Sequence, residues 1–342
     1  MTHTPASGPV AHGGNLHEAA RRYGIAYDQW VDLSTGINPH AYPVPPVPAS
    51  AWARLPDDGD DFAAAAAQYY GVQDAACILP VAGSQAAIRA LPQHLPQACV
   101  AIAPLTYGEY AQAFARAGHA IAPLDAQADT LPDGVRHAVV VTPNNPTTTR
   151  IDPMRLRQWH QQLQARGGTL IVDETFADAD AHTAAASLAP AAGIEGLVVL
   201  RSPGKFFGLA GARCGFAMAH PGLLAHLHDT LGPWTVSSPA RHAVRHAFAD
   251  TAWQAQMRTR LAAESTRLAG LLRAQGLQPH STPLFSWVVD PRAALLQHGL
   301  AQQGIWTRLF PEPASLRFGL PATETAWQRL AAALPVALRE TG

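Results

Sequence analysis

The sequence predicts an α/β fold, with a large domain on a mainly parallel sheet and a smaller α+β domain behind it. Three observations lead there. Short continuous apolar runs recur at Cys99–Ala103, Ala138–Thr142, Thr169–Val172, Gly196–Leu200 and Cys214–Ala219. Stretches with helical spacing, such as Glu109–Ala117 and Pro153–Arg166, lie between most of them. The chain has 342 residues, 48 % hydrophobic and only 14 % charged, which is ample for a buried core. Runs apolar on both faces and separated by helices suit a parallel sheet covered on both sides.

Taken in order, residues 1–50 form an arm rich in Pro and Gly, ending in Tyr42-Pro43-Val44-Pro45-Pro46-Val47-Pro48, which excludes a long helix. The large domain is expected over 51–232. Its Ala-rich start, Asp61 to Tyr70, reads as a helix that stops at Gly71. Pro233 to Ser238 reads as a linker opening a small domain over 233–342. There a long helix is expected over about Ala240–Gln275, then an Ile/Trp/Leu/Phe-bearing segment to Phe318 and a final helix. No internal repeat is visible.

Bulk composition excludes several function classes. The formal net charge is −1 and no basic run occurs, so no electrostatic footprint for nucleic acid is expected. No apolar run reaches the ~20 residues of a membrane span. Met1 to Val10 lacks the apolar stretch of a secretory signal. Cys77, Cys99 and Cys214 are odd in number and widely spaced, which suits a reducing compartment and a cytoplasmic location. His242 and His246 have helical i, i+4 spacing, but with no third ligand near them they read as a surface helix, and no metal is expected. Lys and Arg total 24, yet Lys205 is the only lysine. Arginine cannot act as a nucleophile, and lysine can.

In open α/β sheets ligands bind beyond the carboxyl ends of the strands. Tyr107 follows the first run, Asn145 the second, Asp173 ends the third, and Lys205 follows the fourth. Each has a bland reading: a core edge, a turn before Pro, a cap and a solvated charge. The fold rule brings all four to one crevice. Gly83-Ser84-Gln85 precedes a helix and supplies free N–H groups, while Ser202 and Arg213 add a hydroxyl and a fixed cation for an anion. An amine, a carboxylate, a stacking ring, an amide and a phosphate cup are what pyridoxal 5'-phosphate needs. A nicotinamide cofactor fits less well, because no GxGxxG follows the first strand.

Pro143-Asn144-Asn145-Pro146, Asp173-Glu174-Thr175-Phe176 and the stretch Ser202 to Gly215 (SPGKFFGLAGARCG) resemble the fold-type I pyridoxal-phosphate family, the aspartate aminotransferase-like fold. The resemblance implies that Lys205 bonds covalently to the cofactor and Asp173 pairs with its pyridine nitrogen. It implies that Asn145 bonds the ring's phenolic oxygen, and that Tyr107 stacks on the ring. Ser84, Ser202 and Arg213, with backbone N–H groups around Gly83 and Gln85, are implied phosphate ligands. His12-Gly13-Gly14-Asn15 and the segment Asp32 to Pro39, with Gly36 and Asn38, resemble the threonine-phosphate decarboxylases of cobalamin biosynthesis, near relatives of histidinol-phosphate aminotransferase. These residues, with Arg308 and Arg317, are implied contacts for a small phosphorylated amino acid. The implied reaction converts L-threonine O-3-phosphate to (R)-1-amino-2-propanol O-2-phosphate and CO2. The alternative is transamination of a phosphorylated amino compound such as histidinol phosphate. A homodimer is expected by analogy with the family.

Three positions depart from the family's pattern. Phe176 replaces a phenol, Leu55 in Arg54-Leu55-Pro56 replaces a tyrosine that reaches the neighbouring subunit, and Thr148 stands where a turn usually has Gly. A different turn is therefore expected after Pro146.

Overall fold

A computed structural model describes residues 12–339, so the stretch Met1–Val10 lies outside the described residues. Among these, one compact unit comprises residues 42–145 and 149–255, and a second comprises 12–41, 146–148 and 256–339. The division differs from the expected 1–50, 51–232 and 233–342. The helix Ser238–Ala249 belongs to the first unit because its Phe248 stacks on Tyr69 of the helix Phe62–Tyr70, with ring centroids 4.1 Å apart.

The first unit holds a seven-stranded sheet. Its strands run in the order Ile78–Val81, Gly215–Met218, Leu197–Arg201, Thr169–Asp173, Val135–Val141, Cys99–Ile102 and Ala120–Pro123. Gly215–Met218 is antiparallel to both neighbours, and the remaining pairs are parallel. Every residue of Thr169–Asp173 and Leu197–Arg201 is buried, which is why they read as unbroken apolar runs. The two strands that form the edges, Ile78–Val81 and Ala120–Pro123, are absent from the sequence expectation. Both contain a proline, which an edge tolerates and a central strand does not.

Helix boundaries follow local chemistry. Asp152 caps Pro153–Ala165 by accepting from the Met154 N–H at 2.7 Å, with Pro153 in the first turn. Apolar residues of Ser84–Ala90 (Ala87, Ile88), Glu109–Arg116 (Tyr110, Phe114) and Pro221–Leu231 (Leu224, Leu227) join one core with Val139, Ile171 and Val198 of the sheet.

The second unit has a four-stranded antiparallel sheet in the order Arg308–Pro311, Ala314–Gly319, Phe285–Val289 and Pro279–Thr282. A short parallel pair joins Val31–Asp32 to Ile305–Trp306. The arm contains a helix, Leu16–Tyr23, ended by Gly24 at φ 68°, whose N–H donates to the Ala20 carbonyl. Ala19 of that helix packs with Trp30 and Ala301.

The long helix expected over Ala240–Gln275 is two, Ser238–Ala249 and Thr251–Ala274. Asp250 breaks it at ψ 76° and caps the second helix, its carboxylate accepting from the Trp253 N–H at 2.9 Å. Among the described residues no helix is long and apolar enough to cross a membrane.

Candidate active site

At the carboxyl ends of the parallel strands lies a cavity of about 170 Å³. Its lining includes Gly83, Ser84, Gln85, Tyr107, Asn145, Asp173, Phe176, Ser202, Lys205 and Arg213, together with Val141 and Thr175. The structure thus brings together every residue expected to hold the cofactor.

Asp173 is the last residue of its strand and is 4 % exposed. The Tyr110 hydroxyl donates to its Oδ2 at 2.8 Å, and the Thr175 N–H donates to its Oδ1 at 2.9 Å. Burial pushes its carboxyl upward, while hydrogen bonds from Thr175 and Tyr110 and the charge of Lys205 oppose that shift. Lys205 sits in a short turn, Pro203–Phe206, with its Nζ 5.8 Å from the centroid of the Phe176 ring.

The other walls are held as firmly. The Tyr107 hydroxyl donates to Gln85 Oε1 at 2.8 Å. Burial, then the charges of Glu109 and Asp173, push that phenol up to about 12, so at neutral pH it remains a donor. Asn144, beside Asn145, ties two loops: its amide donates to the Leu105 carbonyl at 2.9 Å and its Oδ1 accepts from the Thr106 hydroxyl at 2.6 Å. Thr148 has φ 64°, so it takes the left-handed conformation that glycine favours. Threonine, branched at Cβ, bears a backbone strain at that position that glycine would not.

Close backbone approach shapes the end of the cavity around Gly83 and Arg213. A Cβ on Gly83, at φ 74°, would lie 2.9 Å from Arg213 Nη2, and one on Gly215 would lie 2.4 Å from the Ser84 nitrogen. Arg213 itself has φ 52°. The guanidinium is thereby laid against the Gly83 backbone, where a side chain would push it away.

Behind these residues, Arg201 is 2 % exposed and bonds two carboxylates. Its Nη1 donates to Glu174 Oε2 at 2.6 Å and its Nη2 donates to Asp178. Its guanidinium lies 4.6 Å from the centroid of the Tyr70 ring. The two carboxylates hold its charge upward against the cost of burial.

The residues expected to meet the substrate all lie in the second unit. Arg308 and Arg317 face each other on adjacent strands. Arg317 is 6 % exposed, and its Nη2 donates to the Ser34 carbonyl at 2.6 Å. Burial, followed by the charge of Arg308, lowers its guanidinium to about 10, with Asp32 acting the other way. The Gly14 N–H donates to the Ser34 hydroxyl at 2.7 Å, and a Cβ on Gly13 would strike the Ser34 carbonyl. Gly36 is buried, whereas His12 and Asn15 are exposed. Asn15 bonds Glu18. The Asn38 side chain closes a turn by accepting from the His40 N–H at 2.9 Å.

Sequence reasoning missed Tyr110, Glu109, Asn144, Thr175 and Arg201. Asn144 and Thr175 stand inside the motifs quoted above, beside Asn145 and close to Asp173, and Tyr110 lies three residues after Tyr107. Among the described residues no group of three potential metal ligands occurs, and Cys77, Cys99 and Cys214 are free thiols.

The family model for aminotransferase class I and II matches residues 52–334. The chain belongs to that family. It is 49 % identical over 327 residues to a threonine-phosphate decarboxylase of Pseudomonas aeruginosa, covering 95 % of this chain and 97 % of that one. It is 43 % identical to one from a Sinorhizobium species, covering 96 % and 98 %. Among solved structures it resembles the histidinol-phosphate aminotransferase of Sinorhizobium meliloti in complex with pyridoxal-5'-phosphate, with a TM-score of 0.81, 19 % identity and coverage of 98 % and 96 %. It also resembles the L-threonine-O-3-phosphate decarboxylase of Porphyromonas gingivalis, with a TM-score of 0.73, 17 % identity and coverage of 90 % and 99 %. These two structural likenesses bear on the fold, and they agree with a mainly parallel sheet whose strand ends carry the cavity.

Proposed function

We propose that this chain is a pyridoxal 5'-phosphate-dependent decarboxylase that converts L-threonine O-3-phosphate to (R)-1-amino-2-propanol O-2-phosphate and CO2, serving the aminopropanol arm of cobalamin biosynthesis. The observation that carries the reading is 49 % and 43 % identity, over nearly the whole chain, to two threonine-phosphate decarboxylases. The cavity supports it, because its residues fit the cofactor: the Gly83 backbone leaves room for Arg213 where a Cβ would meet the guanidinium.

Ser84, Ser202, Arg213 and the backbone N–H groups around Gly83 and Gln85 would hold the phosphate. Asp173 would keep the ring nitrogen protonated, Asn145 would bond the ring oxygen and Tyr107 would cover one face. Bound pyridoxal 5'-phosphate supplies the electron sink for the bond broken at the substrate's Cα. Lys205 would hold the cofactor and could return a proton to the substrate's Cα. Arg308 and Arg317 are the cations for the substrate's anionic groups, with the His12–Asn15 arm, Gly36 and Asn38 supplying polar contacts.

The enzyme acts as a cytoplasmic homodimer in this reading. The dimer is taken by analogy with the family.

Incubation with L-threonine O-3-phosphate tests the function. CO2 release with the amine as product, and no need for a 2-oxo acid, is the expected result. A 2-oxo acid requirement without CO2 release overturns it in favour of transamination. Lys205→Ala is expected to lose the visible absorbance of the bound cofactor and at least about 10³ in turnover.

A further inference from the structure

The Tyr107 ring ends in a hydrogen-bond relay that runs from the cavity to solvent. Its hydroxyl donates to Gln85 Oε1 at 2.8 Å, and Gln85 Nε2 donates to Glu109 Oε2 at 2.6 Å. The same carboxylate oxygen accepts from Arg89 Nη2 at 3.2 Å and from Arg89 Nε at 3.4 Å. Glu109 is 4 % exposed, whereas the Arg89 side chain is 58 % exposed.

The chemistry of the groups fixes every orientation. A carboxylate only accepts, so the NH2 end of Gln85 must face Glu109. The carbonyl end of Gln85 must then face Tyr107, and the phenol has to donate. The placement of the residues fits this. Gln85 and Arg89 are four apart on the helix Ser84–Ala90 and share a face, and Glu109 opens the helix Glu109–Arg116. Two helices are thus bonded together at the point where the aromatic wall of the cavity begins. The ring meets Tyr110 edge-on, with centroids 6.3 Å apart, and the Tyr110 hydroxyl bonds Asp173. One side of the cavity is therefore continuous from a surface cation to the buried carboxylate.

We propose that Gln85, Glu109 and Arg89 are positioning residues that act through the Tyr107 hydroxyl to set the plane of the ring that covers the cofactor. The proposal rests on the reading of Tyr107 as that ring. It assigns the Gln85 side chain a task separate from that of its backbone N–H, and it gives the buried Glu109 carboxylate a purpose that packing alone does not supply.

Titration of the full-length apoprotein with pyridoxal 5'-phosphate tests it, following the dissociation constant and the visible circular dichroism of the bound form. Tyr107→Phe keeps the ring and removes the anchor, so the dissociation constant should rise about fivefold to tenfold. Gln85→Leu should do the same. The double variant Gln85→Leu/Tyr107→Phe should be no worse than either single one, because both changes break one connection. Gln85→Glu sets two carboxylates against each other and should be worse than Gln85→Leu. Adding Glu109→Gln to it restores a donor–acceptor pair and should recover most of the loss. KM for the substrate should move less than the cofactor constant.

Additive losses in the double variant overturn the relay, as does failure of the swapped pair to recover while the thermal midpoint of the apoprotein stays at the wild-type value. Tyr107→Ala separates this from the underlying reading. If it leaves dissociation constant and dichroism unchanged, Tyr107 does not cover the cofactor. If it changes them while Tyr107→Phe and Gln85→Leu do not, only the relay fails.

Discussion

Arg201 and Arg317 are buried to similar degrees, 2 % and 6 % exposed, with different charges acting on them: two carboxylates on Arg201, and Arg308 with the weaker opposing Asp32 on Arg317. Arg201, in the first unit, bonds Glu174 and Asp178, which keep its charge in place. Arg317, in the second unit, faces Arg308 across two strands, and burial together with that neighbour lowers its guanidinium to about 10. A buried cation surrounded by carboxylates is already satisfied by the fold. Two cations side by side, one of them desolvated, raise the energy of the ligand-free protein, and an anion would relieve that cost. The same residue type thus serves architecture in one region and, in the proposed function, reception of the substrate in the other.

The largest effect should come from Arg201→Met. It strands two carboxylates in the interior and should cost about 3–5 kcal/mol in urea unfolding. A loss under about 1 kcal/mol would mean that the three groups do not act as one structural unit. Asp173→Asn comes next and separates stability from function. The buried carboxyl is pushed upward on folding, so the folded state binds its proton more tightly than the unfolded one. The ionised form therefore destabilises the apoprotein above the unfolded value of this group, and the penalty fades as pH falls. The variant should unfold at higher urea than wild type at neutral pH, the gain vanishing below about pH 4. Its turnover should drop on the order of 10²–10³-fold.

Arg317→Met should reverse the pattern of Arg201→Met. Stability should stay within about 1 kcal/mol of wild type, while the substrate KM rises roughly 10- to 100-fold. Arg308→Gln should be mildest, with KM up by about tenfold and a midpoint equal to or slightly above wild type. Equal destabilisation by Arg201→Met and Arg317→Met would erase the distinction between them.

This contrast was half visible in the sequence. Tyr107, Asn145, Asp173 and Lys205 could be read because each follows an apolar run, and a parallel sheet brings such ends together. Arg308 and Arg317 entered only through resemblance, and no pattern in the chain announces that they face each other. Arg201 was invisible, since arginine is ordinarily exposed and its carboxylates lie 23 and 27 residues away. Long-range pairing also hid the bond from Tyr110 to Asp173, 63 positions further on. The two edge strands were lost to their prolines, and the arm helix Leu16–Tyr23 to the surrounding glycines and prolines. The break at Asp250 could not be seen because Ala and Arg flank it on both sides with good helix propensity.

Lys205 is the only lysine of the 342 residues, and it lines the cavity. A lysine-specific endoproteinase therefore has one peptide bond to cut in this sequence, the one after the residue proposed to carry the cofactor. Borohydride fixation of the loaded protein turns that lysine into a secondary amine that the protease does not recognise. After unfolding and digestion, the ratio of intact chain to the two fragments counts loaded against empty molecules on a gel, with neither chromophore nor turnover needed.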